Sequence, residues 1–330
     1  MNGRILVFNC HEAWVYQLRL LNRPLDIIVG LPGRHTGRWD QKMRPLPAQA
    51  QALTLKQVLA SQEHYDCIVA HNLTDLLDAS TLVGAKLMVI HLTLDGMLLE
   101  QDAKTDPSAF RAAVDDYVNR TSVHVMAVSK LKGQSWGFTD DIVPLAADPG
   151  DYATFDGGQP RGLRVSNFIA RRARTLLWDF HEQVFAGLPI TLVGHNPELP
   201  GVKPAADWDS LKEMYRSHRF FIHTANPQLE DGYNMATLEA MAAGLPVLGN
   251  CHPTSPVING VNGFLSDDPE MLKRHAIRLL ENPILAVEMG RAAQQTVRDQ
   301  FSNAMFCRGM SRSIGTAREK WNLAHRSVAV

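Results

Sequence analysis

The chain has 330 residues, 45% of them hydrophobic and 20% charged, with a formal net charge of −1 at pH 7. That length suits two domains, each able to bury its own core, and the near-neutral balance excludes a protein drawn to nucleic acid by its overall field. Cysteines stand at 10, 67, 251 and 307 with no Cys-x-x-Cys pair, so they are expected as small buried residues of a reducing compartment, neither a disulfide frame nor a zinc site.

The N-terminus, Met1-Asn-Gly-Arg-Ile-Leu-Val-Phe8, passes straight into a strand-like run. No run approaches the roughly 18 apolar residues of a membrane span. Neither a signal peptide nor a transmembrane segment is expected, the cytoplasm is the default location, and peripheral membrane contact stays open. Short apolar runs then alternate with helical patterns. In the first half the expected strands are 5–9, 26–30, 67–70, 87–91, 124–128 and 142–145. In the second they are 163–168, 190–194, 220–224, 246–249 and 263–265. Most are continuous apolar runs without alternation, which predicts parallel sheets covered by helices on both faces. The fold class is therefore α/β, with two doubly wound domains.

Turn formers in Asp148-Pro-Gly-Asp151 and Asp156-Gly-Gly-Gln-Pro160 place the boundary near residue 150. The expected domains are 1–150 and 151–302. The run from Asn303 onward is helical in pattern, to about residue 323 within 303–330.

Ligands of open α/β sheets sit beyond the carboxyl ends of the strands, so polar residues at strand exits are the candidates. His11, Glu12 and Trp14 follow the first strand, His71 and Asn72 the third, and His91 the fourth. A packed helix start explains the first group as well as an acceptor site does. Trp14, Tyr16, Trp39, Met97 and Leu98 could line an apolar wall, or simply pack. The acid pairs Asp115-Asp116 and Asp140-Asp141 are expected on solvated surface, and no metal site is expected. No P-loop, Gly-x-Ser-x-Gly elbow or His-Glu-x-x-His motif occurs.

The densest signal is Glu230-Asp-Gly-Tyr-Asn-Met-Ala-Thr-Leu-Glu239-Ala-Met-Ala-Ala-Gly-Leu-Pro-Val-Leu248. Asn234 is a candidate N-cap, Gly244 a left-handed helix end, and Pro246 a stop. A helix N-terminus beginning there would suit a phosphate.

This stretch resembles the donor-binding signature of GT-B retaining glycosyltransferases of glycosyltransferase family 4. The match is Asp231-Gly232-Tyr233-Asn234, then Glu239-Ala-Met-Ala-Ala-Gly-Leu-Pro-Val247, with Asn259-Gly-Val-Asn-Gly-Phe-Leu265 beyond. The resemblance is strong from about residue 220 to 270 and weak in the first 80. It implies GT-B architecture, two Rossmann-like domains facing across a cleft, with the terminal helix packing back on the first domain. It implies a metal-independent retaining hexosyltransferase with no permanently bound cofactor, using a nucleotide-diphosphate sugar, UDP- or GDP-linked, as co-substrate.

By the same resemblance, His91, Asp231 and Glu239 are the catalytic candidates, Glu239 serving the ribose and Asp231 or Glu230 the sugar. Gly232, Tyr233, Asn234 and Met235 complete the donor loop. One or two of Arg171, Arg172 and Arg174 would hold the diphosphate, and Gly194 and His195 would lie near the base. His11, Glu12, Trp14 and His71 are the acceptor-side candidates. The acceptor is open among a saccharide, a lipid-linked glycan, a small molecule and a protein. The chain departs from the pattern in its glycine-free first loop and at Asp231, Asn234 and Val257. Two alternatives therefore stand: a nucleotide-sugar-binding protein without catalysis, and a sugar-nucleotide epimerase of similar fold.

Overall fold

A computed structural model describes residues 3–32 and 37–326. The chain divides into two compact units, Met1–Pro144 with Ala304–Val330, and Leu145–Asn303. Residues 327–330, the end of the expected terminal run, lie outside the described residues.

The first unit is built on strands β1 (Ile5–Phe8), β2 (Leu25–Val29), β3 (Ala50–Thr54), β4 (Tyr65–Ala70), β5 (Gly84–Ile90) and β6 (His124–Ala127). They form one sheet in the order β3-β2-β1-β4-β5-β6, and every pair is parallel. β1 is buried at every position, as its unbroken Ile-Leu-Val-Phe run requires. Leu6, Phe8, Ile28 and Ile68 pack with Val58 of the Leu55–Ser61 helix, and Met88, Ile90 and Val125 pack with Leu94, Val114 and Trp136. The terminal helix Asn303–Arg326 contributes Phe306, whose ring lies 6.3 Å from that of Trp14.

Three expectations change here. β3 was not expected: its sequence Ala-Gln-Ala-Leu-Thr is mostly exposed, as an edge strand covered on few sides can be. The expected strand 142–145 is reduced to one bridge between Ala127 and Ile142, because Pro144 has no N–H to extend a ladder. Asp141 is not on solvated surface but buried, held by His124, Arg312 and Ser313.

The second unit carries β7 (Gln159–Val165), β8 (Ile190–Val193), β9 (His218–Ile222), β10 (Val247–Gly249) and β11 (Gly263–Leu265). Their order is β11-β10-β9-β7-β8, again all parallel. Phe220, Ile222, Leu248 and Phe264 form the core with Val184, Phe185, Leu272 and Leu279 from the flanking helices. β7 stops at Val165, short of the expected 168, because Phe168 turns into the left-handed region at φ 52°. Among the described residues no helix is long and apolar enough to cross a membrane.

Candidate donor site and the histidine cluster

In the second unit β9 and β10 deliver two loops to one place. After β9, residues 223–234 lead into the helix Met235–Ala243. Asn234 caps it: its side chain accepts from Thr237 N–H at 2.9 Å, and Thr237 Oγ1 accepts from Asn234 N–H at 3.3 Å. That reciprocal box fixes where the helix starts. Gly244 ends it at φ 100°. The helix is buried on all sides from Thr237 onward.

Ahead of the cap, Glu230 and Asp231 are both buried. Glu230 Oε1 accepts from Asp231 N–H at 2.9 Å, and Glu230 Oε2 lies 3.6 Å from Arg172 Nη2. Two histidines hold the loop by its backbone. His223 Nε2–H donates to the Asp231 carbonyl at 3.1 Å, and His252 Nε2–H donates to the Glu230 carbonyl at 3.0 Å. Burial lowers both imidazoles, His223 to about 3, so both are neutral donors at pH 7. Thr254 Oγ1 donates to Asp231 Oδ1 at 3.1 Å and accepts from Gly232 N–H at 2.9 Å. Only glycine fits at 232, since a Cβ would come within 2.8 Å of the His252 ring.

Glu239 is buried one turn into the helix, with Tyr215 Oη 3.5 Å from its Oε2. Tyr233 is buried too, 5.1 Å from the Phe301 ring. Tyr233, Asn234 and Met235 thus lie at the helix start beside Asp231.

Arg172 precedes a short helix, Ala173–Leu176, whose end is tied to β7 and to the loop after β9. Leu176 O accepts from buried Arg164 Nη2 at 2.9 Å and from Thr224 Oγ1 at 2.6 Å. This lacing places Arg172 against Glu230, while Arg171 and Arg174 are exposed on the same segment. The exits of β7 and β8 are also joined. Asn196 accepts from Ile169 N–H and donates to Ser166 O, both at 2.8 Å, and His195 N–H donates to Asn167 Oδ1 at 2.8 Å. Gly194 is required, since a Cβ would meet Ser166 O at 2.1 Å. The His195 side chain is exposed, 5.0 Å from Phe168.

In the first unit the exits of adjacent β1, β4 and β5 bring Cys10, His11, His71 and His91 together. His71 Nδ1 and His91 Nε2 are 2.9 Å apart. Trp14, fully buried, stands edge-on to both, at 4.9 Å from His71 and 5.1 Å from His91. It is the floor under these rings and not itself exposed to an acceptor. His11 caps the Glu12–Val15 helix, its Nδ1 accepting from Trp14 N–H at 3.2 Å. Glu12 Oε1 accepts from Asn9 Nδ2 at 3.1 Å and from Asp40 N–H at 3.3 Å. The loop is thus a helix start with a packed tryptophan.

Sequence reasoning passed over His223, His252, Thr254 and Tyr215. The first three stand after β9 and β10, but they meet the acidic loop only because those strands lie side by side. Tyr215 gives no local signal.

The two all-parallel units have the fold of GT-B glycosyltransferases. More particularly, residues 185–282, which include Glu230, Asp231 and Glu239, match the family model described as Glycosyl transferases group 1. No curated protein matches the chain. Among solved structures, the TarM of S. aureus is similar with TM-score 0.58 and 13% identity over 79% of this chain, which spans only 57% of the TarM chain. The Anabaena protein Alr3699/HepE in complex with UDP aligns with TM-score 0.65 and 16% identity over 96% of this chain and 100% of its own. A sucrose-phosphate synthase from Thermosynechococcus elongatus aligns with TM-score 0.68 and 12% identity over 94% of this chain and 98% of its own. At such identities the likeness is one of fold.

Proposed function

We propose that the chain transfers a sugar from a nucleotide-diphosphate sugar to an acceptor hydroxyl, with retention at the anomeric carbon. One observation carries this reading: Arg172, ahead of the matched residues 185–282, lies 3.6 Å from Glu230 in the buried loop that opens the Met235–Ala243 helix inside the match, and Glu239 follows one turn in. The N–H groups of the helix start and the Arg172 guanidinium supply positive potential for a leaving diphosphate. Donors of this kind, aimed at charge that develops in the transition state, are each worth about 3–4 kcal/mol. Glu239 accepts from the ribose hydroxyls and Asp231 orients the sugar, its carboxylate steadied by Thr254.

His91 is the candidate contact for the sugar near the reacting carbon. The acceptor hydroxyl attacks from the face the diphosphate leaves, and a leaving phosphate oxygen takes its proton, so no protein nucleophile is used. UDP is the favoured base carrier, because Alr3699/HepE has been crystallised with UDP and with UDP-glucose. A saccharide is the favoured acceptor class. The reaction belongs to glycan biosynthesis in the cytoplasm.

Thermal unfolding with UDP, GDP, ADP and dTDP tests the donor site. A rise with UDP that Glu239→Ala removes is expected, followed by UDP release from a UDP-sugar when acceptor is present. No rise with any nucleotide overturns the reading. The helix start that replaces a glycine-rich loop after β1 favours a second reading, nucleotide-sugar binding without transfer. It predicts the same thermal shift with no turnover.

A further inference from the structure

We propose that Cys10, His71 and His91 form a binding site for a thiophilic divalent cation, zinc(II) being the ion their donor set fits best.

The residues are far apart in sequence and are brought together by topology. β1, β4 and β5 are neighbours in a parallel sheet, so their exits emerge side by side at one end. One ligand atom from each residue, the Cys10 sulfur and a nitrogen of each histidine, lies within 4.8 Å of the other two. Tetrahedral zinc, with bonds of about 2.3 Å to sulfur and 2.0–2.1 Å to nitrogen, holds such atoms roughly 3.3–3.7 Å apart. The 2.9 Å contact between His71 Nδ1 and His91 Nε2 therefore needs to open by only a few tenths of an ångström. From at most 4.8 Å the sulfur closes in by about 1.5 Å or less, within the reach of a side-chain rotation.

The protein has placed few competing demands on these rings. His71 Nε2 is buried outside ordinary hydrogen-bonding geometry, with the Phe8 backbone acting on the ring, and its Nδ1 faces the other imidazole. Two neutral imidazoles nitrogen to nitrogen share a single proton between two lone pairs, an arrangement that a cation replaces with two bonds. Burial holds both rings neutral at pH 7, His71 at about 3, which leaves the lone pairs available. Burial also pushes the Cys10 thiol up, so metal entry displaces a proton: the S–H bond breaks, a sulfur–metal bond forms, and the proton passes to solvent.

Charge around the site is mixed. Asp75, which accepts from His71 N–H at 2.8 Å, and Glu12 both act on Cys10 with the sign that favours a cation. Lys132 acts on His91 with the opposite sign. All three candidate ligands are half-buried, so an ion can reach them. Three protein ligands leave the fourth position of a tetrahedron open. The three ligands all belong to the first unit, whereas the donor residues belong to the second, but the site uses His91. Zinc would take one ring nitrogen of His91, the Nε2 that faces His71, so a sugar contact in the metal-bound chain falls to the other ring nitrogen.

Cobalt(II) titration of the full chain, freed of metal and without nucleotide, is the test. The expected result is one equivalent bound, with the visible bands of a tetrahedral ion and a near-ultraviolet thiolate-to-cobalt charge-transfer band that zinc(II) abolishes. Cys10→Ser should remove the charge-transfer band, and His71→Ala should weaken zinc binding at least about 10-fold, a loss that outer-shell partners alone can cause. Glu239→Ala should leave both readings unchanged, which separates this site from the donor site. Melting curves without metal establish that Cys10→Ser is folded. Absence of the charge-transfer band in the wild-type chain, or equal zinc affinity in wild type and in folded Cys10→Ser, overturns the proposal.

Discussion

Thr254 and Asp231 are joined by a hydrogen bond of 3.1 Å from the threonine hydroxyl to Oδ1 of the carboxylate. The same hydroxyl oxygen accepts from Gly232 N–H at 2.9 Å, so one side chain sets both the carboxylate and the backbone that follows it. Thr254→Val preserves shape and removes both bonds. A buried N–H left without its acceptor costs about 1–3 kcal/mol, and urea unfolding should show a loss in that range. Thr254→Ser should restore most of it. A valine variant as stable as wild type would show that the loop is held from elsewhere.

Glu239 and Tyr215 give a graded prediction. At 3.5 Å the Tyr215 hydroxyl is at the outer limit of hydrogen bonding to Glu239 Oε2. If Glu239 serves the ribose, its removal should cost far more nucleotide affinity than loss of that weak partner. UDP at a hundred times its dissociation constant should add about 2.7 kcal/mol to wild-type stability. Glu239→Ala should lose most of this increment and Tyr215→Phe little of it. Equal losses in the two variants would reassign the role to the pair's packing.

Gly290 tests the support behind the Met235–Ala243 helix. It lies within Pro283–Gln300, where glycine to alanine would ordinarily stabilise by about 0.5–1 kcal/mol. Here a Cβ would stand 1.8 Å from Gly244 O, the residue that ends Met235–Ala243. The clash is with backbone, which cannot swing aside, so the sign reverses. Gly290→Ala should destabilise by about 1–3 kcal/mol or more, read as a fall in melting temperature. It should also weaken UDP binding if the helix is displaced.

The Met235–Ala243 helix was legible because its signals are local. Asn234 at the cap, Gly244 in the left-handed region and Pro246 beyond it each act within a few residues. Most strands were legible because burial on both faces writes an unbroken apolar run, as in β1. β3 was not, because an edge strand can be polar, and Gln51 even donates to Asp26 of β2 at 2.9 Å. The partners of the acidic loop were hidden for another reason. His223, His252 and Thr254 reach Glu230 and Asp231 only once β9 and β10 lie side by side. Among the arginines, spacing could not choose; the structure brings Arg172 to 3.6 Å from Glu230, beside the tie between Leu176 and Thr224. Trp14 read equally well as wall or core until the sheet buried it.

Asp141 makes acid stability a measure of how the terminal helix is held. Its buried carboxylate takes His124 Nε2–H at 2.8 Å and Arg312 Nη2 at 2.7 Å, with the Ser313 hydroxyl as a third donor. Desolvation alone would raise its pKa, but the hydrogen bonds from His124, Ser313 and Arg312 outweigh it and hold the carboxyl at about 2 against an ordinary 3.8. The folded value is below the unfolded one. The contribution is therefore complete above about pH 4–5 and lost as pH falls toward 2. The difference amounts to about 2 kcal/mol. Other carboxyls titrate over the same range, so the informative quantity is the gap between wild type and Asp141→Asn, which share all of them. In urea unfolding that gap should narrow by about 2 kcal/mol between pH 5 and 2. A gap that does not narrow would mean that the carboxylate gains nothing from its three donors, and that Arg312 and Ser313 are not what ties the Asn303–Arg326 helix to the first unit.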